Sequence, residues 1–466
     1  MNVAVIGLDC ATPQLVFDQF RTEMPNLSRV MAGGMWGPLE SSNPPITVPA
    51  WACMMSGYDP GQLGIYGFRN RKDYSYERYA TANAGSIKVD RVWDRLTAAD
   101  KKVVLLGVPQ TYPVKPVNGV VVTDFLTPST ENEFTFPADL KREIQRVSAG
   151  YVFDVENFRT HDKAGLLGRV YDKTRKHFAV AKHLLKTQPW DFCMMVEMGV
   201  DGIHHGFWSF MDPTHPKYER GNPYETAIRD YYRYLDQELG EVLALLPSGT
   251  VLMVVSDHGA KKLDGAICFN EWLLQEGYLV LKSYPDAVTP IHQVEIDWSK
   301  TRAWGDGGYY GRLFLNVRGR EPHGTIDPGD YEKVRDELTA KIAALTDPQG
   351  KPLGSRAFKP QETYREVNGV PPDLIVYFGD LHWRSVGSVG LKNIYTFEND
   401  TGPDEANHDW HGIFVLNETG CRQTGLPSGQ RNQLRLYDVG PTVMSLFGLD
   451  PARDGIGRPL SGRAQG

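Results

Sequence analysis

The sequence predicts an α/β fold with a largely parallel central sheet, flanked by helices and carrying an inserted subdomain. Short apolar runs of strand length alternate with longer stretches of helical spacing through most of the 466 residues. Several of the expected strands also end in acidic or imidazole side chains. Ligands of open α/β sheets bind beyond the carboxyl ends of the strands, so these polar endings predict a functional site along one edge.

The first part of the chain contains the clearest strand and helix signals. Residues 2–8 form an apolar strand that ends at Asp9, and residues 14–33 have helical spacing that stops at a glycine. A further helix is expected to begin at Thr47, because Pro49 suits the first turn, and to end at Gly57. Further strands are expected at 102–108, 120–124, 191–198, 250–255 and 412–416, and further helices at 92–99, 137–149, 163–187, 223–246 and 437–447.

Residues 263–369 differ from the rest of the chain in composition and in the pattern of predicted elements. They include an extended region rich in proline and aromatic residues, a strand at 312–317 and a helix at 331–345. We therefore expect an inserted subdomain at 263–369 and a catalytic core formed by 1–262 and 370–466. Residues 373–378 are expected to return to the central sheet as an apolar strand.

Composition excludes several classes of protein. The 50 basic and 57 acidic residues give a net charge of −7, which argues against a binder of nucleic-acid polymers or acidic membranes. No run of about 18 apolar residues and no signal peptide is evident, so we expect a cytoplasmic protein without a membrane span. The five cysteines are Cys10, Cys53, Cys193, Cys268 and Cys421. They are scattered, which argues against a disulfide framework and a cysteine-rich zinc site.

Thr47 allows two interpretations from local sequence alone. Most threonines at the start of a helix cap it through a side-chain hydrogen bond. The same position also offers unpaired N–H groups and the positive end of a helix dipole, which favour a bound phosphate. A hydroxyl at such a place is a candidate nucleophile.

Acidic and imidazole residues follow several predicted strands. Carboxylates mixed with imidazoles suit zinc, manganese or iron better than calcium. The four-residue spacing of Asp201 and His205 places both side chains on one face of a helical turn. Each pair taken alone is also typical of an ordinary turn or a solvated helix pair. The candidate metal ligands are Asp9, Asp201, His205, Asp257, His258 and a late histidine, either His408 or His411.

The order of these motifs resembles the alkaline phosphatase superfamily, and within it the type I phosphodiesterase/nucleotide pyrophosphatase branch. The motifs are Gly-Leu-Asp ending at Asp9, Pro-Pro-x-Thr-x-Pro-Ala-Trp around Thr47, Asp-x-x-x-His from Asp201, Ser-Asp-His-Gly around Asp257, and a late histidine before Gly-Ile-Phe. The resemblance covers nearly the whole chain. It implies an alkaline phosphatase-like fold with an inserted subdomain.

The resemblance also implies a two-metal hydrolysis of phosphate esters. Two divalent ions, for which zinc is the first choice and manganese or iron the alternatives, would stabilise an in-line displacement. Asp9, Asp257, His258 and the Thr47 oxygen would hold one ion, while Asp201, His205 and a late histidine would hold the other. The Thr47 alkoxide would attack phosphorus and form a covalent phosphothreonine. We favour His408 over His411 as the late ligand, and expect His204 to be structural.

Two departures from the family pattern leave the substrate open. Leu63 stands where members often have histidine, and Phe68 stands where nucleotide pyrophosphatases have a phosphate-binding asparagine. Arg69, Asn70 and Lys261 are the candidate substitutes for that asparagine. The substrate is expected to be a small phosphate ester. Phosphodiesterase or nucleotide pyrophosphatase activity is the leading hypothesis; the alternatives are a phosphomonoesterase, a phosphonate hydrolase or a non-catalytic metal-binding protein.

Overall fold

The computed structural model describes residues 1–419 and 428–460. The helices are α1 (Pro25–Ala32), α2 (Thr47–Ser56), α3 (Pro60–Leu63), α4 (Val92–Ala98), α5 (Leu140–Ser148), α6 (Lys163–Thr187), α7 (Gly199–Met211), α8 (Ala227–Leu243), α9 (Phe269–Gln275), α10 (Tyr331–Ala343), α11 (Pro360–Thr363) and α12 (Val439–Leu446).

The strands are, in chain order, β1 (Val3–Leu8), β2 (Met35–Glu40), β3 (Arg69–Arg71), β4 (Tyr79–Thr81), β5 (Val103–Leu106), β6 (Gly119–Val122), β7 (Thr135–Phe136), β8 (Phe192–Glu197), β9 (Val251–Val255), β10 (Gly259–Lys262), β11 (Gly265–Cys268), β12 (Ala303–Asp306), β13 (Gly311–Leu315), β14 (Arg356–Phe358), β15 (Leu374–Tyr377), β16 (Trp383–Val386), β17 (Tyr395–Thr396), β18 (Ala406–Asp409), β19 (His411–Glu418), β20 (Gly429–Gln430) and β21 (Leu434–Arg435).

The central sheet confirms the predicted α/β architecture. Strands β9, β1, β8, β5 and β6 lie side by side in that order and are parallel. Antiparallel strands extend the sheet at both ends, β19 beside β9 and β7 beside β6. Because β1, β8 and β9 are neighbours and parallel, the residues that follow them come together at one edge.

Both faces of this sheet are covered, which explains why its strands are continuously apolar. Along β1, Val3 and Val5 pack on one side with buried residues of α2, α4 and α12. Ala4 and Ile6 pack on the other side with buried residues of α1 and of α5 to α8. The period-two alternation of a strand therefore divides the core into two layers.

Residues 14–33 do not form the single helix that the sequence predicted. A π-helical turn at Gln14–Gln19 and a 3₁₀ turn at Arg21–Glu23 precede α1, which begins at Pro25. Proline lacks the N–H that a continuous helix would need at this position but fits the first helical residue. The proline therefore starts a new helix.

The strand expected at 373–378 is present as β15, but its predicted place in the central sheet is wrong. It pairs with β13 and β14 in a separate antiparallel sheet, whose order is β12-β13-β15-β14. Leu374 and Val376 pack into the core of that smaller sheet together with residues of α9 and α10. The chain returns to the central sheet only at β19. The limits predicted for the inserted subdomain, 263–369, stay a prediction.

None of the helices in the described ranges is both long and apolar enough to cross a lipid bilayer. Four of the five cysteines, Cys10, Cys53, Cys193 and Cys268, are free thiols, and Cys421 lies outside the described residues.

Candidate active site

The predicted ligands meet at the carboxyl edge of the central sheet. Asp9 directly follows β1, and Asp257 is the second residue after β9. Asp201 lies in the first turn of α7, which begins two residues after β8 ends. His408 lies in β18, which pairs with β10 immediately after the Asp257 segment. We call the set Asp9, Thr47, Asp201, His205, Asp257, His258 and His408 the edge cluster.

Thr47 does not cap α2. The N-cap residue is Ile46, no side chain caps this helix end, and Thr47 is the first helical residue. Its hydroxyl Oγ1 instead lies 3.3 Å from Nε2 of His258, and the residue is 3% exposed. The capping interpretation is therefore wrong, and the hydroxyl points to the edge cluster. The predicted end of the helix at Gly57 is confirmed, with Gly57 in the left-handed conformation at a φ of 78°.

Three histidines of the cluster bond through Nδ1 to groups outside it, which leaves Nε2 for the cluster. The Nδ1 atom of His205 lies 2.7 Å from a carboxylate oxygen of Asp404, that of His258 lies 3.1 Å from its neighbour's carbonyl, and that of His408 lies 2.9 Å from a carbonyl. Carboxylate and carbonyl oxygens only accept, so Nδ1 carries the donated hydrogen in each ring. A Nδ1 donor leaves Nε2 available to a metal ion, the arrangement found in histidine metal sites.

The Nε2 atoms converge on the aspartates. His258 Nε2 lies 3.3 Å from Asp257 Oδ2 and 3.6 Å from Asp9 Oδ1. Asp201 Oδ1 lies 3.1 Å from His205 Nε2 and 3.8 Å from His408 Nε2. The four-residue spacing on α7 thus places Asp201 and His205 together, as predicted.

The donor atoms of this edge fit divalent cations. Four buried atoms, Asp9 Oδ1, Asp201 Oδ1, His205 Nε2 and Asp257 Oδ2, have no hydrogen-bond partner in the described part of the chain. Unpartnered buried polar atoms are costly, so a bound ion would relieve them. Three sets of side chains could each hold an ion, since their ligand atoms lie within 4.8 Å of one another: Asp9, Asp257 and His258; Asp201, His258 and His408; Cys10, Asp201 and His205.

Burial controls the charge of the aspartates. It raises the pKa values of Asp9 and Asp257 well above the ordinary carboxyl value, and repulsion from Asp201 and Asp9, respectively, raises them further. Burial also acts against ionisation of Asp201, but the neighbouring His205 lowers the Asp201 pKa below its ordinary value. Without a cation, the edge therefore holds more carboxylates than it can keep ionised.

The histidines divide in the same way. Burial lowers the pKa of His258 to about 4, and burial together with His258 lowers the pKa of His408 well below its ordinary value. Burial also opposes protonation of His205, yet Asp201 and Asp404 raise its pKa to about 10. Because their pKa values are lowered, His258 and His408 are neutral at neutral pH. The neutral imidazole is the form that binds metal.

Asp404 is a site residue that the sequence reasoning missed. Its Oδ1 accepts the His205 hydrogen bond, while Oδ2 accepts from Arg159 at 3.1 Å and from Arg384 at 3.0 Å. The ring of Tyr309 stacks on His205, with 4.8 Å between centroids. No sequence motif connects Asp404 with His205, because they are 199 residues apart. The one available signal was that Asp404 is an acidic residue close before the late histidine His408.

Cys10 was also missed as part of this edge. It was assessed only as one of five scattered cysteines, yet it follows Asp9 directly and its sulfur belongs to one of the three ligand sets.

Each of the three predicted substrate residues contacts a group outside the edge cluster. Both polar groups of the Asn70 side chain bond to the backbone of its own loop, at Tyr66 and Gly67. The guanidinium of Arg69, an exposed residue, lies over the ring of Tyr79. Lys261 lies in β10 and pairs with Asp409 at 2.9 Å.

The two other histidines considered from sequence lie in different surroundings. His411 is exposed, whereas His408 is 1% exposed and its ring stacks on that of His258 at 3.7 Å. His204 Nε2 lies 3.2 Å from the Tyr232 hydroxyl of α8. Neither belongs to a set of ligand atoms among the described residues.

Solved structures share this fold. Murine ectonucleotide pyrophosphatase/phosphodiesterase 5 is 12% identical, with 97% of this chain and 96% of that chain covered and a TM-score of 0.56. The human protein of the same name is 11% identical, with the same coverage and a TM-score of 0.54. Phosphonoacetate hydrolase from Sinorhizobium meliloti 1021 is 16% identical, with 96% and 95% covered and a TM-score of 0.61. These likenesses confirm the predicted alkaline phosphatase-like fold.

The family itself is identified by sequence. No curated protein sequence matches the chain. The family model described as type I phosphodiesterase/nucleotide pyrophosphatase matches residues 3–408, which include every residue of the edge cluster. The predicted enzyme class, a metal-dependent phosphoric ester hydrolase, is thereby confirmed, and the alternative of a non-catalytic protein is not supported. The chain belongs to the type I phosphodiesterase/nucleotide pyrophosphatase family.

Proposed function

We propose that the edge cluster hydrolyses small phosphate esters as a phosphodiesterase or nucleotide pyrophosphatase, with Thr47 as the nucleophile. The observation that carries this proposal is the position of the Thr47 hydroxyl. It starts a helix without capping it and lies 3.3 Å from His258 Nε2, which in turn lies 3.6 Å from Asp9 Oδ1 and 3.3 Å from Asp257 Oδ2, two buried oxygens without a hydrogen-bond partner in the described ranges. A hydroxyl placed against potential metal ligands is the arrangement expected of an activated nucleophile.

Two divalent ions, zinc in the first instance, are part of the proposal. Asp9, Asp257, His258 and the Thr47 oxygen would hold one, and Asp201, His205 and His408 the other; the unpartnered atoms of the cluster support such binding. Bound ions would supply Lewis-acid stabilisation of the developing charge and favour the ionised hydroxyl.

The chain itself supplies the nucleophile and the phosphate contacts. Thr47 Oγ1 forms a bond to phosphorus while the bond from phosphorus to the leaving oxygen breaks, giving a phosphothreonine. Water then attacks phosphorus, the bond to Thr47 breaks and free phosphate or phosphomonoester leaves. The backbone N–H groups that open α2, at Thr47 and Val48, have no acceptor within the helix and are positioned to bind phosphoryl oxygens.

Phosphonate hydrolysis is the second candidate. The Sinorhizobium meliloti enzyme is described in complex with phosphonoformate and with phosphonoacetate, and the murine protein, as an inactive threonine-to-alanine variant, in complex with AMP. These small ligands support a small-molecule substrate here as well. Values of kcat/KM for a diester and a monoester that release the same phenol, compared with phosphate release from phosphonoacetate, would separate the candidates.

The proposal also includes the residues that contact the substrate, the cellular compartment and the role of the inserted subdomain. Lys261 is the best supported of the three candidate contacts, since its strand β10 pairs with the strand that carries His408. Arg69 and Asn70 are proposed as further contacts, although the Asn70 side chain already hydrogen-bonds to the backbone of its own loop. We also propose a cytoplasmic protein whose subdomain at 263–369 covers the core.

Replacement of the nucleophile tests the proposal. Thr47→Ala is expected to lower turnover of an aryl phosphodiester by at least about a thousandfold while the bound metal remains, because loss of a nucleophile abolishes the covalent route. Ser56→Ala, which removes a hydroxyl at the other end of the same helix, is the control and should keep full turnover. Unchanged turnover in Thr47→Ala would remove Thr47 from the mechanism.

A further inference from the structure

We infer that Cys10 is a metal ligand, and that its sulfur makes the Asp201 and His205 position a softer metal site than its neighbour. This inference rests on the proposed function, because it needs an ion bound at the edge cluster. Nothing in the family's motif, as read from the sequence, includes this cysteine among the ligands.

The first observation is the convergence of three donors of different kinds. The Cys10 sulfur, a carboxylate oxygen of Asp201 and a ring nitrogen of His205 lie within 4.8 Å of one another. Sulfur, nitrogen and oxygen donors in one set are typical of zinc or cobalt sites.

The second observation is independent of the cysteine. His205 is fully buried, its Nδ1 is held by Asp404, and its Nε2 has no hydrogen-bond partner in the described chain. The Asp404 contact fixes the ring on one side, and Nε2 faces Asp201 Oδ1 at 3.1 Å on the other, so both donors are oriented to coordinate one ion.

The surroundings of Cys10 hold the thiol in place. The residue is fully buried; its amide donates to Asp257 Oδ1 at 3.4 Å, and its sulfur lies 3.4 Å from the Gly259 carbonyl oxygen. These contacts tie the cysteine to the segment that carries the other ligand set. On coordination the thiol would release its proton to solvent and bind as the thiolate.

The two ligand sets would therefore differ in preference. Asp9, Asp257 and His258 offer two carboxylates and one imidazole, a set that accepts manganese or iron as well as zinc. The set with Cys10 favours zinc, cobalt or cadmium over manganese and magnesium, because thiolate is a soft ligand.

Cobalt spectroscopy of the full-length protein tests this directly. Protein stripped by a chelator and reloaded with Co²⁺ is expected to show a sulfur-to-cobalt charge-transfer band in the near ultraviolet. Cys10→Gly should lose the band while cobalt absorption in the visible remains. Zinc affinity at this position should fall by more than about tenfold, because even the partners that orient a metal ligand contribute about ten- to a hundredfold.

The glycine variant is chosen so that the fold survives. Cys10 has a φ of 66°, a conformation that glycine adopts without strain, so the change removes the thiol and relaxes the backbone. Cys268→Ser, at a fully buried thiol in β11, is the control and should keep the band.

Three results are possible. A band in the parent protein and in Cys268→Ser but not in Cys10→Gly supports the inference. Cobalt bound without the band, or a band that persists in Cys10→Gly, overturns it and leaves the proposed function intact. A parent protein that binds neither cobalt, zinc nor manganese overturns both.

Discussion

Two buried groups of ionisable residues lie close together in this protein and differ in how the charge of their buried carboxylates is balanced. One is the edge cluster. The other, which we call the Glu197 cluster, lies where β8 meets α6 and α8, and its members are Lys173, Thr174, His177, Glu197 and Tyr231. Glu197 ends β8, and the first edge-cluster residue after it, Asp201, is only four residues further on.

The carboxylate of the Glu197 cluster has a cation of its own. Lys173 Nζ lies 3.0 Å from Glu197 Oε1, and His177 Nδ1 lies 3.0 Å from Oε2. Burial raises the pKa of Glu197, but Lys173 and His177 outweigh it and lower the value to about 2. This carboxylate is therefore ionised at all ordinary pH values.

Asp9 and Asp257 of the edge cluster have no such cation among the described residues, whereas Asp201 is paired with His205. In the described residues, no lysine or arginine forms an ion pair with Asp9, Asp201 or Asp257, and burial raises the pKa values of Asp9 and Asp257. Equal burial thus gives opposite shifts, and the nearby lysine makes the difference. The chain provides a cation where the charge is structural and leaves it out where a bound ion is expected to supply it.

Removal of Lys173 should remove the difference between the two clusters and should have the largest effect on stability of the changes considered. Lys173→Met is expected to lower the free energy of unfolding by about 3–5 kcal/mol, because it leaves a buried carboxylate without its partner. Metal content of the folded protein should be unchanged. Urea denaturation measures the first and elemental analysis the second.

Arg175→Met is the matched control for this change. Arg175 lies two residues further along α6, with its side chain 57% exposed in a surface ion pair to Asp172. Such pairs contribute little. Equal stability losses in the two variants would show that the Lys173 pair is not special.

Removal of bound metal should affect only the edge cluster. Zinc at about a hundred times its Kd is expected to raise the free energy of unfolding by about 2.7 kcal/mol over the stripped protein, because it binds only the folded state. Thermal unfolding with and without zinc measures this, and phosphodiester turnover should disappear and return with the ion. Stripped protein that keeps full turnover would contradict a metal-dependent edge.

Asp404 connects the edge cluster to arginines and should give the smallest effect. Asp404→Asn keeps a hydrogen-bond acceptor for His205 but loses the charge shared with Arg159 and Arg384. Metal affinity is expected to fall by about ten- to a hundredfold. Zinc titration against a competing chelator measures it, and an unchanged affinity would show that Asp404 does not prepare His205.

Much of the fold and half of the site geometry could be predicted from the chain alone. Strand and helix periodicity located the parallel strands and long helices such as α6, whose predicted limits 163–187 match those observed. Local spacing also brought Asp201 next to His205, since residues four apart meet on any helix. Periodicity does not specify strand partners, so β15 was assigned to the wrong sheet.

The sequence by itself determined which residue types follow the strands, because backbone periodicity and residue spacing are local properties. Only the tertiary structure decided which of them face one another. It buried His408, which β18 holds beside β10, against His258, and left His411 exposed at the start of β19, where it pairs with Glu40 of β2. It also brought Asp404 to His205, a contact between residues 199 apart in sequence. Such long-range contacts depend on chain packing, which no local pattern records.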